Sequence, residues 1–217
     1  YRLGELFCGP GGIAWGAMNA DIGIPDFRIV HQWANDYDAD TCNTYRHNIC
    51  PDAPETVYHE DIRKFDMSHL APIDALAFGF PCNDYSVVGE QKGMNGVYGP
   101  LYSYGVKALK MFKPIWFLAE NVGGLKNAND GKAFTKIIAE LKGAGYTVVP
   151  HLYKFEEYGI PQARHRIIIV GIRNDIDVVY HVPSTALYAD VDNSCRTAIE
   201  VPPIPQNAFN NERTKQS

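Results

Sequence analysis

The chain has 217 residues, 46% of them hydrophobic and 21% charged, which is enough to bury one good core. Its net charge of -5 provides no global attraction to nucleic acid, and its five cysteines, with no Cys-x-x-Cys, argue against a disulfide scaffold or a zinc cluster. No apolar stretch reaches the roughly 18 residues of a membrane span, and the first residues lack a signal-peptide pattern. We therefore expect a cytoplasmic globular protein with no metal and no membrane partner.

Short β-branched runs alternate with helical patterns through most of the chain. In order, these segments are Arg2 to Phe7, Ile13 to Asn19, Arg28 to Trp33, Ala39 to His47, Ile73 to Phe78, Leu101 to Phe112, Ile115 to Glu120 and Lys132 to Leu141. Repeated strand-helix units of this kind predict an α/β fold with a doubly wound, mostly parallel sheet. Two strand-like runs without a convincing helix between them follow, Tyr146 to Phe155 and Arg166 to Ile172, and they predict an antiparallel hairpin at one edge.

The end of the chain has a different character. Prolines interrupt it from Pro183 onward, and the last dozen residues are polar. We predict one folded domain over residues 1–175 and an irregular segment over 176–217.

The first strand-to-helix turn is rich in glycine, with the pattern Gly9-x-Gly11-x-x-Ala14. Glycines allow positive φ and close approach of the backbone to a ligand, and the following helix offers free N–H groups. The turn predicts a site for a nucleotide-like cofactor. Its pattern fits both a dinucleotide-binding dehydrogenase and a methyltransferase, and a tight turn without a ligand stays open.

Two acidic residues are placed to accept hydrogen bonds from such a cofactor. Asp36 follows the second run, where ribose hydroxyls need acceptors, and Asp61 follows a short third run, from which it could reach an adenine amino group. The alternative for Asp36 is a helix N-cap, although Asp38 can fill that role instead. Asp61 could equally be an ordinary turn residue.

A thiol and a carboxylic acid lie at the ends of two predicted strands. Cys82 follows the run Ile73 to Ala77 in a proline-stiffened turn, and Glu120 follows the run Ile115 to Ala119. Open α/β sheets carry their active sites at such strand ends, where a thiolate can act as a nucleophile and a buried carboxyl group as a proton donor. The alternatives are a buried core cysteine and a solvated or ion-paired glutamate.

Arg164 and Arg166 precede and begin the last strand. Residues two apart in an extended segment point the same way, which suits a paired grip on a phosphate or a base oxygen. A solvated basic edge is the alternative.

These motifs occur together in one order: Phe7-x-Gly9-x-Gly11-Gly12, Pro81-Cys82, Glu120-Asn121-Val122 and Gln162-x-Arg164-x-Arg166. In this the chain resembles the catalytic domain of the DNA cytosine-5 methyltransferases, from residue 3 to about residue 173. The stretch from Arg196 onward is similar to the start of that family's target-recognition region.

The resemblance implies S-adenosylmethionine as the methyl donor, S-adenosylhomocysteine as the product, and duplex DNA as the partner, with a role in restriction-modification. It implies that Asp36 takes the ribose hydroxyls, Tyr37 packs on adenine and Asp61 accepts from the adenine amino group. The cofactor-binding residues that it implies are Phe7, Gly9, Gly11, Gly12, Asp36, Tyr37, Asp61, Ile62, Pro81 and Leu101.

For catalysis, the resemblance implies that Cys82 attacks carbon 6 of a flipped-out cytosine while Glu120 protonates ring nitrogen 3. Arg164 and Arg166 would hold the base oxygen and a nearby phosphate, and Asn121 would brace the turn that holds Cys82. The segment from Asn83 to Gly99 would close as a lid over the thiol.

The family's chains continue beyond the point that corresponds to Ser217. We expect a truncated or trimmed chain, unlisted residues, or one subunit of a split enzyme whose complementing chain brings the rest, and we expect the 217 residues to be inactive alone. Three other functions remain open: a transfer-RNA cytosine-5 methyltransferase, a non-catalytic regulatory subunit, and a nicotinamide-dependent dehydrogenase that rests only on the glycine turn.

Overall fold

The computed structural model describes residues 1–80, 101–126 and 131–191, so Pro81, Cys82 and the predicted lid lie outside the described residues. The helices and strands are β1 (Arg2–Leu6), α1 (Gly12–Met18), β2 (Val30–Asp36), α2 (Ala39–Asn48), β3 (Val57–His59), β4 (Ala75–Gly79), α3 (Tyr102–Phe112), β5 (Trp116–Val122), α4 (Lys132–Gly143), β6 (Tyr146–Lys154) and β7 (His165–Arg173).

Within these ranges, seven strands form one sheet in the order β3-β2-β1-β4-β5-β7-β6. The five strands from β3 to β5 pair in parallel, whereas β7 runs antiparallel to β5 and has β6 as its other neighbour. This arrangement confirms the predicted fold class, including the hairpin at one edge. Because the strand order reverses between β1 and β4, the carboxyl ends of these two strands border the crevice where open α/β sheets bind ligands.

Apolar side chains cover both faces of the sheet. One face buries Trp33, Phe78 and Phe117 against α3 and α4, and the other buries Leu3 against Ala14 of α1 and Tyr45 of α2. Such two-sided burial accounts for the apolar run of β4 and for the unbroken burial of β1 from Leu3 to Leu6. It also means that a polar residue in a central strand has no face on which to meet solvent.

A glycine in β7 allows the antiparallel strand to pack against β5. Gly171 lies opposite Phe117, and a Cβ atom at Gly171 would overlap the Phe117 ring. We expect Gly171→Ala to lower the free energy of unfolding by about 1–3 kcal/mol, because the ring is held in a filled core. Chemical denaturation measures this change.

Gly143→Ala is the matched control for that substitution. Gly143 is the last residue of α4, and a Cβ there would meet no atom of the described chain within 4 Å. Alanine is favoured over glycine in helices, so stability should stay constant or rise. Equal losses in both variants would contradict the overlap as the cause.

The chain divides into two compact units. The first contains Tyr1–Leu152 and Arg166–Val182, and the second contains Tyr153–His165 and Pro183–Ser217, of which residues up to 191 are described. In the second unit the Tyr158 ring packs against Tyr153 and Tyr188. The division into domains at residue 175 stays a prediction. None of the helices described in either unit combines the length and the apolar character needed to cross a membrane.

Candidate functional site

The glycine turn after β1 has a backbone that few side chains tolerate. Gly9 and Gly11 have positive φ angles of 52° and 97°, and Phe7, which is not a glycine, has a φ of 54°. A Cβ at Gly11 would lie 2.6 Å from Ile49 Cγ1, so glycine is required there for packing as well. Beside Gly9 and Gly12, by contrast, a Cβ would meet no described atom within 4 Å, which leaves room for a ligand against the backbone.

Asp36 ties the end of β2 to this turn. Its Oδ2 accepts from the Gly9 N–H at 2.8 Å, and its Oδ1 accepts from the Asp38 N–H at 3.1 Å. The N-cap of α2 is Asp38, whose carboxylate accepts from the Thr41 N–H at 2.8 Å. Asp36 is therefore not the cap, and each of its oxygens retains a further lone pair for a ligand hydroxyl.

A cleft of about 520 Å³ opens beside the turn. It brings together five of the predicted cofactor residues: Phe7, Tyr37, Asp61, Ile62 and Leu101. Sequence reasoning missed its other two lining residues, Asn35 and Arg63. A mostly apolar cleft with a few polar groups is typical of a small-molecule site.

The polar groups of the cleft are held in place. Arg63 donates its backbone N–H to Asp61 Oδ1 at 3.0 Å and its Nε–H to the same carboxylate at 2.9 Å. Hydrogen bonds from Arg63 lower the pKa of Asp61 to about 2, so the cleft wall carries an ionised acceptor near neutral pH. Asn35 donates its amide protons to the carbonyls of Tyr58 and Glu60, which fixes the adjacent wall.

Two of the predicted cofactor glycines line a different groove. Gly11 and Gly12 lie with Pro10, Trp15 and Ile49 in an open groove between α1 and α2, together with Thr44 and Asn48. The structure therefore places the glycine turn between two recesses.

Glu120 and Arg166 form an ion pair across neighbouring strands of the first unit. Arg166 Nε lies 2.8 Å from Glu120 Oε1, with both side chains largely buried at 21% and 26% exposure. Glu120 also lies opposite Gly79 of β4, where an added Cβ would be 3.6 Å from Glu120 Oε2. The sequence had indicated that Glu120 ends its strand. In the structure β5 continues to Val122, so Glu120 lies within the strand.

Asn121 holds the backbone that leads to Pro81 and Cys82. Its side chain is 2% exposed and donates to the Phe80 carbonyl at 3.1 Å, while its Oδ1 accepts from the Val122 N–H at 2.8 Å. Phe80 is the last described residue before Pro81. The strand that leads to Cys82 and the strand that carries Glu120 are thus fixed to each other at their carboxyl ends.

Arg164 belongs to the second unit, where its N–H donates to the Gln162 carbonyl and its own carbonyl accepts from the Phe155 N–H. Its pairing with Arg166 stays a prediction. Among the described residues, no group of three or more His, Cys, Asp or Glu side chains could hold a metal ion.

Sequence reasoning also missed Glu5, a fully buried acid in β1. Burial raises the pKa of its carboxyl group to about 8, against a hydrogen bond with Tyr45 that lowers it, and the nearby Asp36 charge raises it further. A charged residue inside an otherwise apolar central strand was the available signal.

Comparison with known proteins gives a consistent result. The family model for C-5 cytosine-specific DNA methylase matches residues 1–216. The Type II methyltransferase M.BbvI of Brevibacillus brevis is 55% identical over 99% of this chain, and M.NgoFVII of Neisseria gonorrhoeae is 34% identical over 100% of this chain. The chain spans 60% and 56% of these two relatives.

Solved structures share the fold. The crystal structure of the S. pombe Dnmt2 methyltransferase superposes with a TM-score of 0.59 at 17% identity, over 82% of this chain and 51% of that one.

Proposed function

Because the chain belongs to the C-5 cytosine-specific DNA methylase family, we propose that it is the catalytic part of a Type II modification enzyme that methylates carbon 5 of cytosine in duplex DNA. The methyl donor is S-adenosylmethionine, and the product is S-adenosylhomocysteine. We propose the prokaryotic cytosol or nucleoid as the location, because M.BbvI and M.NgoFVII come from bacteria and the substrate is duplex DNA. The observation that carries the proposal is the junction of β4 and β5, which holds Glu120 beside the backbone leading to Cys82.

The described residues fit this cofactor. The open space beside Gly9 and Gly12 accommodates a ligand against the backbone, and the ionised Asp61 faces an apolar cleft that suits a purine. Phe7, Tyr37, Ile62 and Leu101 would enclose the base, and Asp36 would accept from the ribose. When bound, S-adenosylmethionine supplies a methyl group on a positively charged sulfur, which is a good leaving group.

The protein's own residues would activate the cytosine ring. Carbon 5 is a poor nucleophile until the Cys82 thiolate adds to carbon 6 and Glu120 gives a proton to ring nitrogen 3. Arg166 is fixed against Glu120 and would hold the base oxygen, with Arg164 contributing to the grip on the base or phosphate. The target base must leave the duplex first, at a cost of a few kcal/mol.

Sequence-specific reading of DNA requires contacts with base edges in the grooves. Because the chain spans 60% of M.BbvI, we propose that the remaining recognition region lies in a longer form of this polypeptide or on a complementing chain. Phosphate contacts alone carry no sequence information.

The direct test is methyl transfer by the full-length protein, with radiolabelled S-adenosylmethionine and either duplex DNA or transfer RNA. We expect label only in DNA, recovered as 5-methylcytosine after digestion. Label in transfer RNA alone would replace the DNA assignment with the RNA one. Binding of a nicotinamide dinucleotide without binding of S-adenosylmethionine would overturn both.

Asp61→Asn tests the cofactor assignment separately from chemistry. The amide keeps an oxygen for the Arg63 N–H but loses the charged acceptor in the cleft, so we expect the Kd for S-adenosylmethionine to rise about 10-fold. Calorimetry measures the affinity. Asp66→Asn is the matched control, because Asp66 makes the same kind of turn, accepting from the Ser68 N–H at 2.9 Å, and does not line the cleft. An equal loss in both variants would refute the assignment of Asp61.

A further inference from the structure

A chain of hydrogen bonds runs from the buried Glu5 to the loop before β3. Tyr45 Oη lies 3.1 Å from Glu5 Oε2 and 3.1 Å from His31 Nδ1. His31 Nε2 lies 2.8 Å from Thr56 Oγ1, which in turn lies 2.6 Å from the Ala53 carbonyl oxygen. The proposed reaction uses none of these side chains.

The directions of these hydrogen bonds can be assigned one by one, starting from the Ala53 carbonyl. A carbonyl oxygen can only accept a hydrogen bond, so Thr56 donates its single hydroxyl proton to the Ala53 carbonyl. Thr56 must then accept from His31, which requires a proton on Nε2. In the neutral imidazole, which the burial of His31 favours, Nδ1 is then an acceptor.

The same logic continues to the carboxyl group. Tyr45 must give its one hydroxyl proton to His31 Nδ1, so the bond between Tyr45 and Glu5 has only the carboxyl group left as its donor. With a neutral His31, the hydrogen-bond geometry therefore indicates that Glu5 carries a proton.

The surroundings of Glu5 support a neutral acid. Its side chain is fully buried, and Oε1 has no hydrogen-bond partner among the described residues, which is far less costly for a neutral acid than for a carboxylate. Burial raises the pKa of Glu5 to about 8 and lowers that of His31 to about 4, so both groups are neutral near pH 7.

The groups that face Glu5 are acidic or neutral. Tyr45 faces it from α2, Asp36 from the end of β2 and Cys8 from the glycine turn, while Ala34 and Ala77 lie opposite it on the two neighbouring strands. The Cys42 thiol of α2 also raises the pKa of Cys8. No cation acts on Glu5 from the part of the chain that the structure describes.

This acid lies directly beneath the glycine turn. A Cβ at Gly11 would be 3.1 Å from Tyr45 Cδ2, so the ring that binds Glu5 also supports the turn. A positive charge held at the turn would act on Glu5 through the poorly screened interior.

We propose that Glu5 is a positioning residue that stores a proton beneath the glycine turn and releases it when a cationic cofactor binds there. The carboxyl O–H bond breaks and its electron pair stays on Glu5. That proton passes to the Tyr45 oxygen, Tyr45 gives its former hydroxyl proton to His31 Nδ1, and His31 gives its Nε2 proton to the Thr56 oxygen. The half-buried Thr56 loses one proton to the buffer, and the hydroxyl proton that it keeps turns to His31 Nε2, while Tyr45 donates to the carboxylate. The inference rests on the proposed function, because the cation is the sulfonium of S-adenosylmethionine.

The stored proton can be tested without cofactor. Nitrogen-15 NMR of the full-length protein should show His31 as the Nε2–H tautomer, and carbon-13 labelling should show a neutral Glu5 carboxyl group at about pH 6.5. The Nδ1–H tautomer or an ionised Glu5 would overturn the proposal. This measurement needs no variant, so it holds even if substitutions at Glu5 prevent folding.

The coupling is tested by calorimetry in two buffers with different ionisation heats. S-Adenosylmethionine should release a fraction of a proton at about pH 7, and S-adenosylhomocysteine, which lacks the sulfonium charge, should release less. Glu5→Gln should abolish the difference between the two ligands, whereas the exposed Glu55→Gln should behave as wild type.

Proton release unchanged in Glu5→Gln would overturn the coupling. Failure of the wild-type protein to bind S-adenosylmethionine at all would overturn the proposed cofactor and the coupling together, while the NMR signature of the stored proton would stand.

Thermal unfolding gives an independent readout. An unfolded Glu5 titrates near its ordinary value of 4.5, whereas the folded pKa is about 8, so the folded state binds more protons between these values and the contribution of Glu5 to stability falls as pH rises. The gain in Tm of Glu5→Gln over wild type should therefore grow from about pH 5 to about pH 8. A gain independent of pH would contradict a neutral Glu5.

Discussion

Replacement of Cys82 by serine is expected to reduce methyl transfer by about four orders of magnitude or more in the full-length protein, the scale seen when a covalent nucleophile is removed. A serine hydroxyl remains protonated near neutral pH, whereas a cysteine has an accessible thiolate. Cofactor affinity should change little, because the cleft of Phe7, Asp61 and Leu101 is formed by other segments. Initial rates of label transfer to duplex DNA, together with calorimetric Kd values, measure the two effects.

Cys195→Ser is the control, since neither the sequence motifs nor the resemblance gives that thiol a role. Wild type should also form a covalent complex with DNA that survives denaturation, and Cys82→Ser should not. Full methyl transfer by Cys82→Ser would contradict the assignment of Cys82 as the nucleophile, whereas no transfer by the wild-type protein would favour the non-catalytic subunit.

The order and type of the helices and strands could be predicted from the sequence. Parallel strands covered on both faces are continuous apolar runs, and Gly9 and Gly11 mark the point where β1 gives way to α1. The predicted bounds differ mainly at β2, which ends at Asp36 and not at Trp33, and at β5, which continues through Asn121 and Val122. These residues continue the pairing with β7, and a strand's partners cannot be read from its own polarity.

Residues that act through distant neighbours were harder to predict. Asn35 and Arg63 line the cleft because β2 and the segment after β3 meet there, and neither residue belongs to a recognisable motif. Asp36 and Asp38 are equivalent as cap candidates by position alone, and only the folded backbone shows that Thr41 donates to Asp38. Local spacing carries no information on such pairings.

The function of Glu120 depends on the same long-range geometry. The sequence predicted that Glu120 is an acid near Cys82, and it left open the alternative that Glu120 is a structural residue in an ion pair. The structure shows the ion pair with Arg166, but it also holds Glu120 over Gly79, on the strand that leads to the thiol. An ion pair with a purely structural role would not need to lie beside the strand that leads to Cys82. The catalytic and the structural interpretations of Glu120 therefore differ in how far removal of its acid lowers the rate of methyl transfer.

Replacement of Glu120 by glutamine should lower kcat by about 10²- to 10⁴-fold, or roughly 3–5 kcal/mol, the usual contribution of a positioned proton donor. Glutamine matches the size of glutamate, and its amide oxygen can still accept from Arg166, so the fold should survive. The amide has no acidic proton to give to ring nitrogen 3. The Kd for S-adenosylmethionine should stay within about twofold, since Glu120 does not line the cleft.

Glu120→Asp and a double substitution separate chemistry from structure. Aspartate retains the acid but shortens its reach, so it should keep more activity than glutamine if the proton is what matters. If Arg166 serves only to hold Glu120, then Arg166→Gln should lower kcat much less in the Glu120→Gln background than in wild type. A missing proton donor slows the reaction without unfolding the sheet. If Glu120→Gln instead lowers the free energy of unfolding by as much as it raises the activation free energy, and Glu120→Asp is no more active, the ion pair has a structural role.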